Sequence, residues 1–196
     1  MASILKRLFR FLARAPEQTP AEQEEFVEEA QVDSAALEAF SRLVTAHLGE
    51  AESKRLTRQV VAHDEGFLYA VQDDDGQQAN HWLMLSVDWK AYDEVQWQID
   101  LMLATRGIES GWTWQLPDQA SQRTVMSALK SLAHWLPSRD LALLHIDSGG
   151  DDYQALIVGQ GQAAEILSLG AAAGITIMSH RDFLSTQHDQ DADLST

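Results

Sequence analysis

The 196-residue chain carries a formal net charge of −16, is 45% apolar and contains no cysteine. Its length predicts one domain with tails, and its apolar fraction is too high for general disorder. Without cysteine, disulfides, thiolate catalysis and cysteine-ligated zinc or iron–sulfur sites are excluded, and a pI near 4.6 argues against nucleic acid as a partner, because phosphate binding needs concentrated Lys and Arg.

Residues 1–15 run against the rest. They hold four cations and no acid, which leaves −20 on the remainder of the chain. At about 100° per residue, Ile4, Leu5, Leu8, Phe9, Phe11 and Leu12 share one half of a helical wheel, and Lys6, Arg7, Arg10 and Arg14 the other. The spacing predicts an amphipathic helix outside the domain. The arginines interrupt any apolar run of the kind a secretory signal needs, and no stretch approaches the roughly 20 apolar residues of a membrane span. An in-plane helix on an anionic membrane surface is the expected role. The competing roles are a helix packed on its own domain, a basic arm folded onto the acidic body, and a helix that binds another protein. Residues 16–32, rich in acids with Pro16 and Pro20, read as a linker.

A single α+β domain is expected over 33–180. Asp33 or Ser34 can cap a helix whose Leu37, Phe40, Val44 and Leu48 share a face, stopped by Gly49. A second helix should end near His63. Residues 67–72 read as a short strand, the acids Asp73, Asp74 and Asp75 as a turn, and residues 82–88 as a strongly apolar strand, together a hairpin. Helical spacing returns with Tyr92, Val95, Ile99, Met102 and Leu103, and Gly107 ends it. Trp97 falls opposite that stripe, so either the helix is buried on a second side, the favoured reading, or an aromatic patch is exposed for a partner. Residues 111–117 read as a strand with Trp112 and Trp114 on one side. A helix from near Pro117 to before Pro137 buries Val125, Leu129, Leu132 and Leu136. Residues 141–147 and 153–159 form a hairpin about Ser148–Gly149–Gly150, followed by a last helix and a last strand at 175–178. The pattern predicts a mixed β-sheet of about five to six strands packed against helices, mainly on one side. Residues 181–196 are polar and aperiodic, and read as a disordered tail.

The stretch LMLSVDWKAYDEVQWQIDLML, with GGDDYQALIVGQGQAAEILSLGAAAGITI further on, resembles a family of bacterial domains of unknown function. There, an apolar strand ends in Asp-Trp-Lys before an acidic-capped helix, and an acidic turn leads through Asp-Tyr into a strand, a helix and a glycine-led last strand. The matching residues are Asp88, Trp89, Lys90, Asp152, Tyr153 and Gly174, within roughly residues 80–178. The resemblance implies the fold class and no activity.

Other chemistry is thinner. Asp88 could cap the next helix, Trp89 could fill core space, and Lys90 could pair with Asp88. His145, Asp147, Asp151 and Asp152 are close enough in sequence for a divalent cation, but Asp and Gly are also ordinary turn residues and the calcium-loop glutamate is missing, so no metal and no cofactor is assigned. No Gly-x-Ser-x-Gly occurs. The residues therefore point to a cytoplasmic, non-catalytic interaction module, tethered peripherally at the inner face of the membrane and binding a protein. The alternatives are an acidic immunity- or inhibitor-like protein that binds a basic partner, and a metal-dependent enzyme using His145 and nearby carboxylates.

Overall fold

The computed structural model describes residues 33–63, 66–72, 81–109 and 111–193. The basic helix expected over 1–15, the linker over 16–32 and the acidic turn at 73–75 lie outside the described residues.

Among the described residues three helices come first: α1 (Ser34–Thr45), α2 (Glu50–Ala62) and α3 (Phe67–Gln72). Asp33 starts α1, its Oδ1 accepting from the Ala35 and Ala36 N–H groups at 2.9 and 3.1 Å. Next come β1 (Met84–Asp88), α4 (Val95–Thr105) and α5 (Val125–Trp135). The hairpin β2 (Leu141–Ile146) and β3 (Asp152–Gly159) follows, then α6 (Ala163–Ala172), β4 (Ile177–Ser179) and α7 (His180–Asp193). Among the described residues no helix is long and apolar enough to cross a membrane.

The α+β class stands, but the sheet differs from the expectation. Among the described residues it has four strands rather than five or six, in the order β1-β3-β2-β4. Every pairing is antiparallel, so the sheet is not mixed. Side chains alternate across a strand, and here both faces are covered. Met84, Leu144, Ile146, Leu156 and Val158 pack against α1, α2, α3 and α6 through Phe40, Leu56, Phe67 and Ile166. Leu85, Val87, Leu143, Ala155 and Ile157 pack against α4, α5 and Trp112. Helices on two faces replace the one-sided cover read from the sequence. Gly170 makes one of these contacts possible. A Cβ there would stand 2.5 Å from Ile177 Cγ2 and 3.3 Å from the Phe40 ring.

Four local readings change. Residues 67–72 are helix, with Phe67, Ala70 and Val71 buried at helical spacing. Residues 111–117 form no strand: Gln96 on α4 holds them instead, its Oε1 accepting from the Trp114 N–H at 2.9 Å and its Nε2 donating to the Trp112 carbonyl at 3.3 Å. The helix expected from Pro117 begins at Val125, where Thr124 and Ser127 form a reciprocal cap. The tail expected to be disordered from 181 carries α7.

β1 is an edge strand, and its open edge is closed by a side chain. Gln98, buried on α4, accepts from the Ser86 N–H and donates to the Ser86 carbonyl, both at 3.0 Å. The amide takes the place of a missing strand. Trp97, on the same helix, stays exposed and meets Trp82 edge to face at 5.3 Å, so burial on a second side is not what the helix does.

Candidate functional site

The register of β1 on β3 brings the two halves of the sequence motif together. Asp88 lies opposite Asp152 and Val87 opposite Tyr153, and the Trp89 N–H donates to the Asp151 carbonyl at 3.3 Å. Asp88 caps no helix: its Oδ1 takes the Lys90 N–H at 2.8 Å, in a tight turn that its carbonyl closes on the Ala91 N–H. This turn puts Trp89 outside the core, 51% exposed. Lys90 does not pair with Asp88. Its ammonium sits 4.5 Å from the centre of the Trp89 ring.

The turn between β2 and β3 is built by its own acids. Asp147 Oδ1 accepts from the Gly149 N–H at 2.9 Å, and Gly149 takes φ 72°, a left-handed conformation suited to glycine. Ser148 Oγ donates to Asp152 Oδ1 at 2.6 Å, and Gln154 Nε2 donates to Asp152 Oδ2. Among the described residues Asp147, Asp151 and Asp152 form no ion pair.

Helix α7 supplies the opposite wall. Phe183 stacks on the His145 ring at 3.9 Å and 9°, and meets Tyr153 edge-on at 5.9 Å. His145 Nε2 and His180 Nδ1 share a hydrogen bond of 2.8 Å. Burial, and secondarily the neighbouring His180, pushes His145 down to about 3. His180 is lowered too, by burial and then by the charge of Lys130. Both rings are therefore neutral near pH 7.

Between these walls lies a cleft of about 670 Å³. Trp89, Tyr153 and Phe183 line it with Asp147, Asp151 and Asp152, while His145 and Gln154 border it from within. Of the sequence-motif residues, Trp89, Asp152 and Tyr153 line the cleft, and Asp88 and Lys90 flank it. Gly174 does not. At φ 73° it ends α6 and turns the chain toward β4.

The metal reading of His145, Asp147, Asp151 and Asp152 meets a different geometry. The His145 Nε2 is committed to His180, and among the described residues no group of three or more His, Asp or Glu side chains is placed to hold a metal ion. What the sequence reading missed is the contribution of His180, Phe183, Thr186 and Gln187. The pattern Ser179-His180-Arg181-Asp182 ahead of Phe183 and Leu184 was the available signal. Ser179 Oγ accepts from the Asp182 N–H at 3.2 Å, as an N-cap side chain does, and donates to its carboxylate at 2.6 Å.

A family model described as a domain of unknown function (DUF6630) matches residues 8–181. The match is wider than the stretch 80–178 that carried the resemblance, and it reaches into the basic N-terminal segment. No curated protein and no solved structure matches the chain.

Proposed function

The chain belongs to this DUF6630 family of domains of unknown function, and on that premise we propose that it is a non-catalytic interaction module. Its cleft receives a partner protein, and residues 1–14 hold it at an anionic membrane surface. The observation that carries the reading is the composition of the cleft. An exposed tryptophan and two further aromatic rings stand beside three carboxylates without ion-pair partners among the described residues. Large aromatic side chains at a concave, partly wet surface are where protein interfaces concentrate their energy. The membrane half rests on the segregated apolar and basic halves of residues 1–14.

The test places a photo-activatable phenylalanine analogue at position 89 of the full chain in producing cells. Irradiation should give a discrete cross-linked protein adduct, and Asp151→Lys with Asp152→Lys should abolish it. An absent adduct, or one that survives the charge reversal, would remove the cleft as the partner surface.

A further inference from the structure

Building on the reading of the cleft as a partner surface, we infer that the group it receives is a guanidinium, the side chain of an arginine in an exposed segment of the partner protein. Two buried side-chain atoms bordering the cleft have no hydrogen-bond partner. Gln154, only 7% exposed, spends its amide N–H on Asp152 and leaves Oε1 without a partner. His145, 1% exposed, commits Nε2 to His180 and leaves Nδ1 without a partner. That Nδ1 is an acceptor when Nε2 carries the proton of the neutral ring and a donor when Nε2 accepts from His180, so the Gln154 oxygen is the buried acceptor that both tautomers leave unmet. The Asp147, Asp151 and Asp152 carboxylates add acceptors only. A buried acceptor left unmet is costly. A side chain that brings several donors and a positive charge suits the Gln154 oxygen and the three carboxylates, which describes arginine and lysine.

The aromatic walls decide between those two. A guanidinium is planar, stacks on aromatic faces and meets carboxylates through two parallel N–H bonds, whereas an ammonium is a compact, strongly hydrated point charge. Trp89 already serves as a cation platform, since Lys90 lies over its ring. Phe183 and Tyr153 present two further rings at right angles. The cleft is larger than one side chain needs, so the residues flanking the arginine have room as well. Free arginine is the poorer fit, because its α-carboxylate would face three aspartates. The −16 charge of the chain would speed encounter with a basic segment.

The experiment is calorimetric titration of the full chain with a doubly blocked Gly-Arg-Gly peptide. Its lysine and citrulline counterparts and free arginine are titrated in parallel. One saturable site is expected, with the lysine peptide weaker by about tenfold and the citrulline peptide, which keeps the shape without the charge, weaker still. Asp151→Asn and Trp89→Ala, both at exposed positions, should each weaken binding while the circular dichroism spectrum stays unchanged. Equal binding of the arginine and lysine peptides would overturn the guanidinium assignment, as would binding indifferent to both variants. Free arginine binding as tightly as the blocked peptide would overturn the protein-segment source. An adduct at position 89 without any affinity for the arginine peptide would sink this inference and leave the partner surface standing. Peptide affinity without an adduct would remove the partner surface, and with it the partner arginine, and leave only a guanidinium-binding cleft.

Discussion

His145 on β2 and His180 at the start of α7 hold each other through one hydrogen bond, 2.8 Å from Nε2 to Nδ1, in a setting where neither ring readily takes a charge. One ring must donate and the other accept. With both rings protonated no acceptor remains, and the bond becomes a repulsion between two cations. Lys130 on α5 adds to the cost, since it already lowers His180. The Asp182 carboxylate, on the helix itself, is turned to Ser179. This bond and the Phe183 stack bind the cleft-lining first turns of α7 to the sheet.

The pair should therefore make stability fall with acid. In the folded state His145 is lowered to about 3 and His180 is lowered as well, while in the unfolded chain both titrate near 6.5. Between those limits the unfolded chain binds more protons, so stability is full above about pH 6.5 and declines as pH falls. His47, lowered to about 4 by burial and then by Arg106, contributes with the same sign. Urea midpoints taken at pH 7, 6 and 5 should drop for the native chain. They should drop less steeply for His145→Gln with His180→Gln, with the slope of His47 remaining. The ceiling is about 1.4 kcal/mol per pH unit for each histidine. Parallel slopes in the two proteins would show that the pair does not refuse protons.

Gln98 offers a separate test, through the edge of β1. Its amide satisfies both the N–H and the carbonyl of Ser86. Gln98→Leu keeps most of the volume and removes both partners. Each backbone group left unmet in the interior costs roughly 1–3 kcal/mol; Ser86 is only half-buried, so the two together should cost the lower part of the doubled range, about 2–4 kcal/mol in urea unfolding. An open edge also invites pairing between molecules, and the variant should show a concentration-dependent rise in light scattering. A variant as stable and as monodisperse as the native chain would mean that solvent satisfies Ser86 as well as Gln98 does.

Where the chain announces its own structure, it does so through local physics. The β2–β3 hairpin is legible because two short apolar runs flank Ser148–Gly149–Gly150, and Gly149 takes the conformation such a turn needs. The meeting of Asp88-Trp89-Lys90 with Asp152-Tyr153 is half legible. The motifs stand out, but only the register of β1 on β3 makes them neighbours. Residues 67–72 mislead because the five-residue apolar run Phe67–Val71 fits a strand or a buried helix equally well. Only the structure shows that Phe67, Ala70 and Val71 are the buried members, at helical spacing. Gln96 and Gln98 on α4 carry no sign in the sequence of their role, yet each amide acts as a substitute for strand backbone. His145 and His180 are 35 residues apart, a distance at which a single sequence carries no sign of contact.

The final prediction concerns the cationic segment at the head of an acidic chain: residues 1–14 bind anionic bilayers reversibly. Lys6, Arg7, Arg10 and Arg14 supply attraction, roughly 1 kcal/mol per cation near such a surface. Four cations alone would bind weakly in ordinary salt, where the Debye length is about 8 Å. The remaining −20 of charge is repelled by the same lipids. Burial of the apolar half, at roughly 25 cal/mol per Å² removed from water, must therefore decide whether the chain stays bound. Vesicles of mixed neutral and anionic phospholipid should co-sediment the full chain, and purely neutral vesicles should not. Leu8→Asp with Leu12→Asp should release it at every salt concentration. Lys6→Glu with Arg10→Glu should release it too, most sharply at low salt, where the charge term is least screened. If the native chain stays in the supernatant, or both double variants still sediment, the tether is wrong, and the amphipathic pattern is better explained by packing on the chain's own domain.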